Sequence, residues 1–183
     1  NVNLIIGGGR KHFNQRADSL NLLEMMVDKY GWKVYDTLAD IDETCKKYAV
    51  IANDDHMPPA AERGDFLPRA VKTAISTLDN AENGFFLMAE GSQIDFACHA
   101  QDSNWMMDEM LDFDYAVKVA LDYAKEKGNT LVVVTADHET GGLTMPDPNG
   151  IYTNPVFNYS TGSHICLPVM VYAYGPGAEQ FTG

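Results

Sequence analysis

The run Thr130–Ala136, "TLVVVTA", narrows the choice of fold more than any other stretch. It is apolar at odd and even positions alike, so a strand made from it is buried on both faces, as in a covered parallel sheet. Such a sheet needs helices over its faces, and the rest of the chain has that alternation. "NVNLII", "WKVYD", "KYAVIA" and "GFFLMA" read as further short strands. "ADSLNLLEMMVDKYG" carries Leu20, Leu23, Met26 and Val27 at helical spacing and a glycine stop at Gly31. "LPRAVKTAISTLDN" gathers Ala70, Val71, Ala74, Ile75 and Leu78 on one helical face. "SQIDFACHAQ" is a helix opening on Ser92 as its cap, and "DEMLDFDYAVKVALDYAKEKG" is a long amphipathic helix ending at Gly128. "HMPPAAERGD" is a loop, because paired prolines continue neither helix nor sheet. The segment from "PDPNG" to "NYSTG" is irregular, and "CLPVMVYAYG" is the last strand. The expected fold is an α/β layered sandwich, a mostly parallel sheet flanked by helices. A length of 183 residues suits one α/β domain over 1–183.

In such sheets ligands collect beyond the carboxyl ends of the strands. Glu90 closes "GFFLMA", and Asp137 and His138 close "TLVVVTA". A lone Asp there is usually a turn former. Here Glu-Thr-Gly-Gly follows, and the glycines let the backbone turn sharply beside the acid and imidazole. Asp95 and His99 are four apart, on one face of their helix. Taken alone they make an ordinary surface pair, but their helix starts at the same rim as Glu90. His164 comes before its strand, so it joins this rim only if the last strand runs antiparallel to the others, at least locally. Carboxylate oxygen and imidazole nitrogen are zinc donors. Glu90, Asp95, His99, Asp137, His138 and His164 are too many for one tetrahedral zinc. They suit two or three cations, and a pair of metals about 3.5–4 Å apart clamps in-line displacement at phosphorus.

The net charge of −13 argues against nucleic-acid-specific binding, which needs clustered Lys and Arg. It leaves room for an anionic substrate, since bound cations reverse the local field. No apolar run reaches the roughly eighteen residues of a membrane span. Cys45, Cys98 and Cys166 form no C-x-x-C pair, so a disulfide framework is not expected. His12 and His56 fall in loops without a visible converging partner and read as structural or surface residues. "GGGRK" lacks the spacing of a phosphate loop. Lys125 and Lys127 read as partners of a helix dipole, and Tyr172 and Tyr174 as packing.

Three stretches in this order, "FFLMAEGSQIDFACHA", "VVVTADHETGG" and "STGSH…PVMVYAYGPGA", closely resemble the C-terminal metal-binding motifs of the alkaline phosphatases. "LIIGGGRKHF" and "DDHMPPAAER" are similar to that family's connecting segments, so the resemblance covers nearly the whole chain. It implies two zinc ions and one magnesium ion. Asp95, His99 and His164 look like ligands of the first zinc, Asp137 and His138 of the second, and Glu90 of the magnesium. It implies hydrolysis of phosphate monoesters through a phosphoserine. The family's T-D-S-A serine motif, its bridging Asp, the Thr of its magnesium site and its phosphate-gripping Arg have no counterpart here. The chain begins at Asn1 and ends on "EQFTG", and both ends read as cut. The expectation is the C-terminal part of a larger alkaline phosphatase domain, inactive by itself. Small-molecule phosphate monoesters are the implied partners. The resemblance also implies export to the periplasm or outside the cell, and a homodimer. The short loop from Met145 to Ser163 resembles a minimal bacterial-type member. Two other readings stay open. One is a phosphodiesterase or phosphoglycerate mutase of the same superfamily, which shares Asp-His at a strand end. The other is a non-catalytic metal-binding module.

Overall fold

A computed structural model describes residues 2–146 and 155–181. The chain gathers into two compact units, Asn1–Pro58 with Glu62–Ala89, and Pro59–Ala61 with Glu90–Gly183. The irregular segment expected from "PDPNG" onward lies partly outside the described residues.

The first unit is built on a parallel sheet. Strands β1 (Leu4–Gly7), β2 (Lys33–Tyr35) and β3 (Tyr48–Ile51) stand in the order β1-β3-β2. All four residues of β3 are buried, as expected for the central strand of a covered sheet. Helix α1 (Arg10–Asn14) follows β1 directly, where the sequence suggested only a loop. Helix α2 (Leu22–Tyr30) starts later than its apolar pattern. The Asn21 side chain accepts from the N–H groups of Leu23 and Glu24 and so fixes the first turn. Leu23, Trp32, Ala49 and Ile51 form the core between helix and sheet. A short helix α3 (Ala60–Arg63) precedes α4 (Phe66–Leu78), which buries Ala70, Val71, Ala74 and Ile75, the face its spacing predicts. The Tyr48 hydroxyl meets Thr77 of α4 at 3.0 Å.

His12 and His56 do have a converging partner, contrary to the sequence reading. Their Nε2 atoms lie 3.9 and 3.7 Å from one oxygen of Asp55, and Lys11 bonds the other. The Lys11 ammonium holds the Asp55 carboxyl below its ordinary range.

The expected strand "GFFLMA" is not a strand among the described residues. Gly84–Ala89 alternates in burial as an extended segment does, but it joins no β-ladder among the described residues, and Phe86 is 89% exposed. Strand propensity is a statement about a paired, half-buried surface, and local sequence cannot supply the neighbour.

The second unit pairs helices α5 (Gln93–His99) and α6 (Ser103–Lys127) with a two-stranded sheet, β4 (Val132–Thr135) and β5 (Val171–Tyr174). Helix α6 begins five residues before its expected start, because Asp102 caps it through the N–H groups of Asn104 and Trp105. Ser92 precedes α5 in helical conformation and makes no capping hydrogen bond, so it is not the cap the sequence suggested. Ala97, Cys98 and Met106 form the core between the two helices, with Trp105, Leu143 and Tyr159 against it. The last strand runs antiparallel, as His164 required. Val132 faces Tyr174 and Thr135 faces Val171, so the end of β4 lies beside the beginning of β5. Strand β4 is apolar on both faces, yet Val133 is exposed. Tyr172 and Tyr174 are exposed too, with Lys125 over the Tyr174 ring at 5.9 Å.

Candidate metal centre

The antiparallel pair brings two of the three motifs to one end of the second unit. Asp137 and His138 follow β4 by two and three residues, and His164 sits seven residues before β5. Helix α5 brings the third. Asp95 and His99 share its face, with His99 Nε2 at 3.4 Å from Asp95 Oδ1. His164 Nε2 lies 3.4 Å from the same oxygen and 3.1 Å from His99 Nε2. The three donor atoms therefore form a nearly equilateral triangle. A tetrahedral zinc with bonds of about 2.0–2.1 Å spaces its donors about 3.3 Å apart. The triangle fits that ion, and the donor types are those zinc takes. Asp137 Oδ2 and His138 Nε2 are 3.2 Å apart, one edge of a similar set, with Asp137 87% exposed in side chain. The His138 and His164 rings stack at 3.7 Å between centroids, so the two donor sets adjoin.

Hydrogen bonds set which ring nitrogen faces each set. His99 Nδ1 is 2.7 Å from the carbonyl oxygen of Gly162. A carbonyl only accepts, so Nδ1 carries the proton and Nε2 keeps its lone pair for the triangle. Thr140 does the same for His138 at one remove. Its hydroxyl bonds Asp95 Oδ1 and lies 3.3 Å from His138 Nδ1. Asp95, as a carboxylate, only accepts. Thr140 must donate to it, and so accepts from His138 Nδ1–H. His138 Nε2 is then bare, facing Asp137. Metal-binding histidines are held in this way by their other ring nitrogen. Thr140 is buried, and sequence reading passed over it. The only signal available was its place beside the Asp-His pair.

The turn after His138 answers why two glycines follow. Gly141 and Gly142 have φ of +86° and +56°, the left-handed region. A Cβ on Gly141 would sit 2.8 Å from the Tyr159 ring, and one on Gly142 would strike Ser160 Oγ at 1.9 Å. This closeness lets Gly141 N–H donate to Ser163 while its carbonyl accepts from Ser160 and Thr161. The two motifs are thus stitched backbone to backbone. Buried Cys98, beside His99, has its thiol pushed up by burial first and by the charges of Asp95 and Glu139 next.

Of the six residues singled out in the sequence, five lie in these two adjoining sets. Glu90 is exposed and, among the described residues, has no hydrogen bond or ion pair to the other five.

A family model described as Alkaline phosphatase matches residues 1–183. The chain belongs to the alkaline phosphatase family. It is 37% identical over 155 residues to alkaline phosphatase 3 of Bacillus subtilis, covering 82% of this chain and 33% of that protein. It is 38% identical over 126 residues to the alkaline phosphatase of Escherichia coli, covering 67% of this chain and 26% of that protein. The solved alkaline phosphatase of the Antarctic bacterium TAB5 matches with a TM-score of 0.87 at 37% identity, over 98% of this chain and 55% of that one. A TAB5 variant with Mg bound in its M3 site matches with a TM-score of 0.88 at 36% identity, over 98% and 56%. The chain thus spans about a third or less of these alkaline phosphatases from B. subtilis and E. coli, and a little over half of the TAB5 structures.

Proposed function

We propose that the protein carrying this chain is a phosphate monoesterase dependent on two zinc ions and one magnesium ion. This chain supplies most of the metal ligands. Asp95, His99 and His164 hold the first zinc, Asp137 and His138 the second, and Glu90 the magnesium. The observation that carries the reading is the triangle of Asp95, His99 and His164 donor atoms, with edges of 3.1–3.4 Å. When bound, zinc supplies a Lewis acid that neutralises charge developing on phosphoryl oxygens and lowers the pKa of a bound hydroxyl or water. The protein's own part is to hold the His99 and His138 rings in the right tautomer, through Gly162 and Thr140, and to set the two donor sets side by side.

The nucleophilic serine of the phosphoserine mechanism lies outside these residues. In support, no serine hydroxyl among the described residues is hydrogen-bonded to any of the six ligands. Apolar surface at Phe86, Met88, Val133 and Val171 is exposed, which suits a chain completed by further protein. The chain forms one domain's C-terminal part in this reading. Family kinship supports export to the periplasm or the medium and a homodimer. No helix among the described residues is long and apolar enough to cross a membrane.

The test is hydrolysis of a chromogenic phosphate monoester by the 183-residue chain with zinc and magnesium, bound zinc being counted in parallel. Zinc bound without turnover supports the reading, while turnover would move the nucleophile inside the chain. Substituting His99→Ala should strip the zinc held by the triangle, and unchanged zinc content would overturn the ligand assignment. In the whole protein, preference for diesters over monoesters would favour the related phosphodiesterases.

A further inference from the structure

Glu139 lies between His138 and Thr140 and belongs to neither donor set. Its carboxylate is half-buried, and each oxygen has its own partner. Oε1 accepts from Leu143 N–H at 3.1 Å, across the Thr140–Gly142 turn that follows Asp137 and His138. Oε2 accepts from Ile165 N–H at 3.0 Å, the residue next to His164. The two oxygens thus join the second motif to the third through backbone N–H groups that, among the described residues, bond no other side chain. Backbone N–H bonds to a charged acceptor are stronger than neutral ones, by roughly twofold. Fixing the Ile165 amide fixes the chain direction at His164. It therefore sets where the His164 ring stands between His99, 3.1 Å from its Nε2, and His138, stacked on its face.

We propose that Glu139 is a positioning residue. By clamping Ile165 to the turn that follows Asp137 and His138, it holds His164 at the vertex of the Asp95–His99–His164 triangle, and so tunes metal binding there without touching the metal. The proposal rests on the metal reading given above and adds to it an outer residue with a defined task. Glutamine at this position has the same shape but only one oxygen. Its amide NH2 would face either Leu143 N–H or Ile165 N–H, donor against donor, and one half of the clamp would be lost.

The experiment is a cobalt titration of the 183-residue chain, followed by the visible absorption of tetrahedral Co²⁺. It is run on the unchanged chain, on Glu139→Gln and on Glu139→Ala. Thermal unfolding and amide exchange are recorded on the same metal-free samples. Outer partners of metal ligands change affinity by about 10–100-fold. The expected result is a tenfold or greater loss of cobalt affinity in Glu139→Gln, with an altered visible band and faster exchange at the Ile165 amide. Glu139→Gln that matches the unchanged chain in affinity, band and Ile165 exchange would overturn the clamp while leaving the metal site standing. An unchanged chain that forms no tetrahedral cobalt band would overturn the metal reading itself. The Ile165 exchange rate then still reports on the clamp, because it is read without metal. Should Glu139→Ala fail to fold, the isosteric Glu139→Gln carries the comparison.

Discussion

The hydroxyl of Thr140 has two polar neighbours and one proton to give. Because Asp95 only accepts, the proton's direction is settled, and with it the tautomer of His138. Thr140→Val keeps the shape and removes the relay. Its expected effect is a fall in zinc affinity of about 10–100-fold, measured by competition with a chromophoric chelator, with Thr140→Ser restoring most of it. Unchanged affinity in Thr140→Val would show that the tautomer needs no such support. One residue further into the core, the Cys98 thiol is raised by burial, whereas Cys166 is exposed. A raised thiol pKa means less thiolate at pH 8. Cys98 should therefore alkylate more slowly than Cys166 when labelling is followed by mass spectrometry. The same raised value favours the folded state below the ordinary thiol pKa and is lost as pH rises through the raised one, so it penalises folding only in alkali. Equal labelling rates at the two cysteines would contradict this.

At the scale of elements, α6 shows what amphipathic spacing hides. Its amphipathic character is legible, and the helix does bury an apolar set, Met106, Ala116 and Ala124, of which Met106 lies before the expected start at Asp108. Glu109 is buried too, at 1% exposure, which the pattern does not suggest. Its Oε1 accepts from Trp105 Nε1 at 3.0 Å within the helix and from Ala60 N–H at 2.8 Å. A charged residue at helical spacing reads as solvent-facing unless its partner, 49 residues away, is known. Glu109→Ala would leave two half-buried donors, Trp105 Nε1–H and Ala60 N–H, without this acceptor, at a cost of about 2 kcal/mol in urea unfolding. Glu109→Gln keeps an acceptor oxygen and should cost less. Equal losses would mean that packing volume and not hydrogen bonding holds the site. The helix start at Asp102 and the lack of a cap bond at Ser92 carry the same lesson. Capping residue types mark candidate ends, and backbone geometry chooses among them.

For the molecule as a whole, charge dominates behaviour in solution. The net charge of −13 at pH 7 falls to zero near the sequence pI of about 4.5. Repulsion between copies vanishes there, while exposed Phe86, Met88, Met170 and Tyr172 keep their apolar surface. A solubility minimum between about pH 4 and 5 is expected, and turbidity across a pH series would check it. Full clarity at that pH would show that the apolar surface does not drive association. The proposed metal sites bear on this balance as well, since each divalent ion bound there would offset part of the negative charge on the second unit.

The sequence by itself determined the alternation of strands and helices, the buried face of α4 and the family, and it singled out Asp95, His99, Asp137, His138 and His164, which the structure brings together. It even determined the antiparallel last strand, because His164 precedes that strand and had to reach the rim. These follow from periodicity, residue chemistry and chain order, which are local. Only the tertiary structure decided that Gly84–Ala89 joins no β-ladder among the described residues, that β4 is half open, and that His12 and His56 share Asp55. It alone showed the hydrogen bonds of Thr140, Glu139 and Glu109. Each of these depends on a partner distant in sequence, and a hydrogen bond or a ladder exists only once folding has brought both sides together.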